Sequence, residues 1–187
     1  MFNLKNLFTR ALLALMLVTG AGAALAGPTY HVTINSVGYT GTGVLDLQFS
    51  TFVPSDEASL FLSNFSGDYT GATGELAAGV RVAATDGFGY FAQTLNLGGS
   101  FGFDVRFDTG TFDESVGLNV GLFSDELNQW LGQNGAVALI LLTPGEAALV
   151  EVDAAFASAS EVPEPATLAS LMFGLALMGS SLRARRK

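Results

Sequence analysis

Three charged side chains in one short stretch have the types and spacing to act together: Asp104, Arg106 and Asp108 stand at i, i+2 and i+4. In an extended strand that spacing puts all three on one face. Carboxylates supported by Asn and main-chain oxygens suit a hard cation, so Asp104 and Asp108 are the calcium candidates, and no other metal or cofactor is expected. The acidic pairs Asp56-Glu57, Asp113-Glu114 and Asp125-Glu126 lack the spacing of a calcium loop. The simpler reading of Asp104, Arg106 and Asp108 is a solvated charge cluster that adds little stability.

Catalytic chemistry has few carriers here. Phe107-Asp108-Thr109-Gly110-Thr111 resembles the catalytic signature of aspartic peptidases. Those enzymes need two carboxylates sharing a proton, and no second Asp-Thr-Gly or Asp-Ser-Gly occurs. A strand running into an Asp/Gly turn accounts for Asp108 without chemistry. His31 is the single histidine, no Gly-x-Ser-x-Gly elbow accompanies it, and its place on the polar side of the first strand reads as ordinary surface. There are no cysteines, hence no disulfide, thiolate nucleophile or Cys-ligated metal. The expectation is a protein without catalytic residues. Trp130 is a candidate sugar-stacking ring, although its spacing with Leu127 and Leu131 reads more simply as a core plug.

The elements that must position these residues are strands. Tyr30, Val32 and Ile34 alternate with polar neighbours, as do Leu45, Leu47 and Phe49. Phe101, Phe103, Val105 and Phe107 repeat the pattern, as do Val116, Leu118, Val120 and Leu122. A period of two belongs to half-buried strands. Further strands are expected at 58–65, 76–84, 91–97, 136–142 and 147–154, with 137–142 apolar throughout and therefore covered on both faces. Many short strands separated by Gly, Asp and Pro turns predict an all-β fold: a single antiparallel β-sandwich over residues 27–154, jelly-roll or Greek-key-like. One short helix is expected from Ser124, with Leu127, Trp130 and Leu131 on one face. Residues 155–162, rich in Ala and Ser, read as a linker.

Both ends are addresses. Lys5 and Arg10 precede an apolar run and the small residues Ala24-Leu25-Ala26, the order of a signal peptide over residues 1–26 cleaved by signal peptidase after Ala26. At the other end Pro163-Glu164-Pro165 precedes an uncharged stretch, 166–182, and then Arg183, Arg185, Arg186 and Lys187. Seventeen residues at 1.5 Å each span only ~26 Å as a helix, marginal for a bilayer core. The basic cluster would hold residues 183–187 on the cytoplasmic side and leave everything before Pro163 outside. Between Gly27 and Pro165 two arginines face all 17 acids, a net charge of −15 with no lysine. Such a surface repels nucleic acid and anionic lipid.

Pro163-Glu164-Pro165, the following span and the terminal Arg cluster together resemble the PEP-CTERM sorting signal of Gram-negative bacteria, here over residues 163–187. The resemblance implies recognition and cleavage near the motif by an exosortase, a membrane peptidase-transpeptidase. It also implies a passenger first anchored in the inner membrane with its body periplasmic, then placed at the outer surface or outside the cell. The body is similar to a group of such passengers with no assigned activity. The expected role is a structural or adhesive component of an exopolysaccharide or biofilm setting, and the alternative is a carbohydrate-binding module that recognises exopolysaccharide.

Overall fold

The computed structural model describes residues 27–52, 58–71, 74–108 and 114–163. Within them the alternating segments form two packed antiparallel sheets, the expected β-sandwich. In chain order the elements are β1 (Thr29–Asn35), β2 (Thr42–Thr51), β3 (Ser59–Ser66), α1 (Gly74–Ala78), β4 (Val80–Ala83), β5 (Phe88–Asn96), β6 (Ser100–Asp108), β7 (Val116–Ser124), β8 (Gln129–Leu131), β9 (Ala138–Leu142), β10 (Leu149–Val152) and β11 (Ala157–Val162). The first sheet has the order β11-β1-β6-β3-β4; the second has β10-β9-β7-β2-β5, with β8 added on β7.

The apolar half of each alternation is what joins the sheets. Val32, Phe103, Val105 and Phe107 of the first sheet meet Leu45, Phe49, Leu118 and Val120 of the second, all without solvent exposure. Phe107 packs edge-on against Phe49, with ring centroids 6.4 Å apart, and against Tyr30 at 6.1 Å. Asymmetric aromatic contacts of this kind lock one packing arrangement more firmly than aliphatic contacts alone.

Five expectations are corrected. Residues 124–131 are not a helix: β7 continues to Ser124, a turn follows, and β8 pairs back on β7. Ser124 Oγ does accept the Leu127 N–H at 3.3 Å, as an N-cap would, but Asn128 adopts φ 50° and reverses the chain. Trp130 is consequently no core plug; it is 45 % exposed, while Leu131 is buried. The one helix among the described residues is α1, where a strand was expected. Residues 157–162 are not linker but β11, paired with β1 from Ile34↔Ala157 to Thr29↔Val162. Ala157 and Ala159 pack on the core, and Ser158 and Ser160 face outward, so the period of two is present in side chains too small to show much hydropathy contrast. Finally, β9 lies inside its sheet, but only its inner face is fully covered: Ala138 and Ile140 are buried, Leu139 and Leu141 half-buried.

Two inward tyrosines make the packing testable by alkali. Burial pushes the Tyr69 hydroxyl well above its ordinary value, and burial followed by the charge of Glu161 pushes up that of Tyr30. Tyr69 also donates to the Gly102 carbonyl at 3.2 Å and packs edge-on against Phe65. An unfolded tyrosine loses its proton near pH ~10 while these keep theirs. Above that pH the unfolded state holds fewer protons, so stability is fully present below pH ~10 and falls as pH rises. The expected slope is up to about 1.4 kcal/mol per pH unit for each such hydroxyl. Urea denaturation at stepped alkaline pH measures it, and a flat profile would contradict the burial of Tyr69.

Candidate functional site

The two calcium candidates share an outer face of the first sheet but are not brought together. Asp104 stands opposite His31 on β1 and Ser63 on β3. Its Oδ1 lies 2.6 Å from His31 Nδ1, and its Oδ2 accepts from Asn64 Nδ2 at 2.6 Å. The ladder breaks register between Ser63 and Ser66, and Asn64, at φ 53°, turns its amide back onto the strand. Asp108 pairs with Arg81 across 3.8 Å, and both are too solvated for the pair to add much. Arg106 lies over the Phe61 ring, 5.2 Å from its centroid. Among the described residues no group of three His, Asp or Glu side chains is arranged to hold a metal. Asp104 and Asp108 are thus spent on separate partners, and His31 is a clamped member of this face rather than a loose surface group.

A cavity of about 630 Å3 opens between Pro28 and Tyr30 on one side and Leu142 and Val150 on the other. Glu114, Glu146 and Glu161 line it, and among the described residues no histidine or cationic side chain does. Glu114 Oε2 is buried without a hydrogen-bond partner among the described residues; Glu146 and Glu161 are exposed.

The outer face of the second sheet has a different character. Register places Tyr90, Gln48, Asn119, Leu139 and Glu151 in one row across five strands. The row beside it runs Phe88, Ser50, Gly117, Leu141, Leu149. On the other side Asp46 and Gly121 pair, and beyond them Phe123 pairs with Trp130. Gly121 makes room here: a Cβ would come within 2.9 Å of Trp130 Cζ3, so the indole rests on bare backbone. Phe123 supports the indole from the side at 5.3 Å in a T-shaped contact. Asp46, only 5 % exposed, accepts from Gln48 Nε2 at 2.9 Å and bonds the Tyr90 hydroxyl, whose pKa that contact raises, with burial and the Asp46 charge adding to it. Tyr90 and Trp130 remain 55 % and 45 % exposed. Next to this strip lies a shallow cleft of about 240 Å3, lined by Asn119, Gln133, Asn134, Leu139, Glu151 and Asp153.

Of this face, the sequence singled out Trp130 alone. The alternation did place Asp46, Gln48 and Asn119 on polar sides of their strands, but only the β5-β2-β7-β9 order makes them neighbours. Tyr90 fell just outside the strand expected at 91–97.

The third feature is the junction with the tail. β11 ends at Val162 directly opposite Thr29, where β1 begins, so chain entry and exit lie side by side at one end of the first sheet. Pro163 follows, exposed. Glu164, Pro165, the stretch 166–182, the basic residues Arg183, Arg185, Arg186 and Lys187, and the cleavage residues Ala24 and Ala26 lie outside the described residues. Among the described residues no helix is long and apolar enough to cross a membrane.

Neither a curated protein nor a solved structure matches the chain. Residues 161–187 match the PEP-CTERM protein-sorting motif, whose first two positions are the last two of β11. The chain thus carries a PEP-CTERM sorting motif over residues 161–187, which implies export and sorting to the envelope or beyond by an exosortase.

Proposed function

We propose that the body is a non-catalytic surface or matrix protein, structural or adhesive in an exopolysaccharide or biofilm setting. Signal peptidase cuts after Ala26, the span 166–182 holds the body in the periplasm at the inner membrane, and exosortase then releases or transfers it. The observation that carries this reading is the junction: the sorting motif begins on β11 itself, beside the start of β1. A cut beyond Val162 leaves both sheets whole, and the two processing sites lie at the same end of the domain. The net charge of −15 over residues 27–165 favours solubility outside the cell.

Replacing Pro163, Glu164 and Pro165 together with alanine is expected to abolish maturation in an exosortase-positive host. Immunoblots of membrane and medium fractions read the result. Unchanged size and unchanged release would overturn the sorting step, and turnover of a polysaccharide by the purified chain would overturn the non-catalytic reading.

A further inference from the structure

We infer that the outer face of the second sheet binds a neutral polysaccharide, with Trp130 and Tyr90 as stacking rings and the Gln48, Asn119 and Gln133 amides as hydroxyl partners. This names the ligand class for the matrix role proposed above and rests on that reading for its setting, though not for its chemistry.

Sugars present two surfaces to a protein: apolar C–H faces, which lie against aromatic rings, and hydroxyls, which need both donors and acceptors. The face supplies both in one strip. Trp130 is seated on Gly121 and buttressed by Phe123, so its orientation is set before any ligand arrives. Tyr90 is likewise tethered through Asp46, which Gln48 also holds. Rings held in place lose little freedom on binding, which is where affinity is gained. Primary amides carry two donors and an acceptor, and Asn119, Gln133 and Asn134 converge on the adjoining cleft. Gly117 and Gly121 keep the middle of the strip low, between the exposed rings of Phe88 and Tyr90 on β5 and Trp130 on β8. Side chains about 4.8 Å apart within each row, one per strand, form a strip rather than a closed pocket, a shape that suits a polymer more than a small molecule.

Charge decides which polymer. Arg81, Arg106 and His31, every basic side chain among the described residues, belong to the outer face of the first sheet. The second sheet carries Asp46 and Glu151 on its outer side and no cation. An acidic polymer is repelled there. Asp46 is buried and already engaged by Gln48 and Tyr90, and Asp153 at the cleft accepts from the Ala155 N–H, which leaves Glu151 as the exposed carboxylate of the strip and a single charge for a cationic polymer to meet. A neutral chain remains as the occupant.

The test is affinity electrophoresis of the full-length chain in mild detergent through gels containing neutral glucans, galactomannan or glycol chitin, with alginate as the acidic control. At least one neutral polymer is expected to retard the protein, undiminished by salt up to about 0.5 M, where surface electrostatics are screened. Trp130→Ala and Tyr90→Ala are expected to weaken retardation, Trp130→Ala by about tenfold or more, as for other aromatic anchors. Thr33→Ala, on the opposite face, should leave it unchanged. Gly121→Val displaces the indole while Trp130 itself stays, and is expected to weaken binding as well; thermal melts of each variant separate lost binding from lost fold. Retardation by alginate alone, by none of the neutral polymers, or equally in all variants would overturn the inference. So would self-association that the Trp130→Ala change abolishes, which would make a second copy the occupant. These outcomes are read on the unprocessed chain, so they stand apart from the sorting result.

Discussion

Phe103→Ala is expected to lower stability by about 3–5 kcal/mol, the cost of removing a buried aromatic ring and leaving a cavity. Phe103 has no solvent exposure, lies in β6 at the centre of the first sheet, and stacks on Phe65 at 5.9 Å. Domains of this size are stable by roughly 5–15 kcal/mol, so a large part of the margin would go. Without cysteines, no disulfide limits the unfolded state and packing must supply the whole of it. Phe88→Ala is the control: this ring is 49 % exposed on the outer face of the second sheet, and its loss should change stability by no more than about 0.5 kcal/mol. Urea unfolding followed by tryptophan fluorescence measures both. Equal costs would contradict the inward and outward assignments.

Excising Ala157–Val162 while keeping the tail is expected to abolish cooperative folding. The deletion removes the whole ladder to β1 and uncovers the edge of the strand that carries Tyr30, Val32 and Ile34. Had these residues been a linker, the same deletion would only shorten the approach to the membrane. Melting curves and protease resistance decide between the two. A finer comparison uses the ladder itself. Asn35 N–H donates to the Phe156 carbonyl, and hydrogen-bonded pairs in an antiparallel ladder recur every second residue. Ser158 therefore bonds toward Thr33, whereas the Ala159 N–H points away from β1. Ser158→Pro should cost about 1–3 kcal/mol for the orphaned ladder group. Ala159→Pro should be better tolerated, since proline fits an edge strand where its missing N–H would face outward.

The position of β11 also bears on how the chain matures. Among the described residues β1 is the first strand and β11 the last, so the first sheet cannot be completed until the segment next to the sorting motif is free to pair. Pairings this distant in sequence form slowly.

What the sequence determined by itself was whatever rests on local pattern. Strict alternation in Phe101–Phe107 and Val116–Leu122 specified strands, inner faces and hence a sandwich, because a period of two places every second side chain on one side regardless of partners. The order of Pro163-Glu164-Pro165, uncharged stretch and arginines specified the address, because a sorting signal is read as a linear segment. Local pattern misled where two structures share it: Ser124, Leu127, Trp130 and Leu131 carry a helix cap and helical spacing, yet Asn128 in a left-handed conformation turns the chain into β8. Small alternating Ala and Ser residues likewise hid β11 until β1 was there to pair with it. Strand order was decided only by the tertiary structure, and with it the neighbours across strands. His31 meets Asp104, and Asp46, Gln48, Tyr90 and Asn119 share one face, because their ladder partners lie tens of residues apart and are selected by the packing of the whole core; the local β7–β8 turn then adds Trp130.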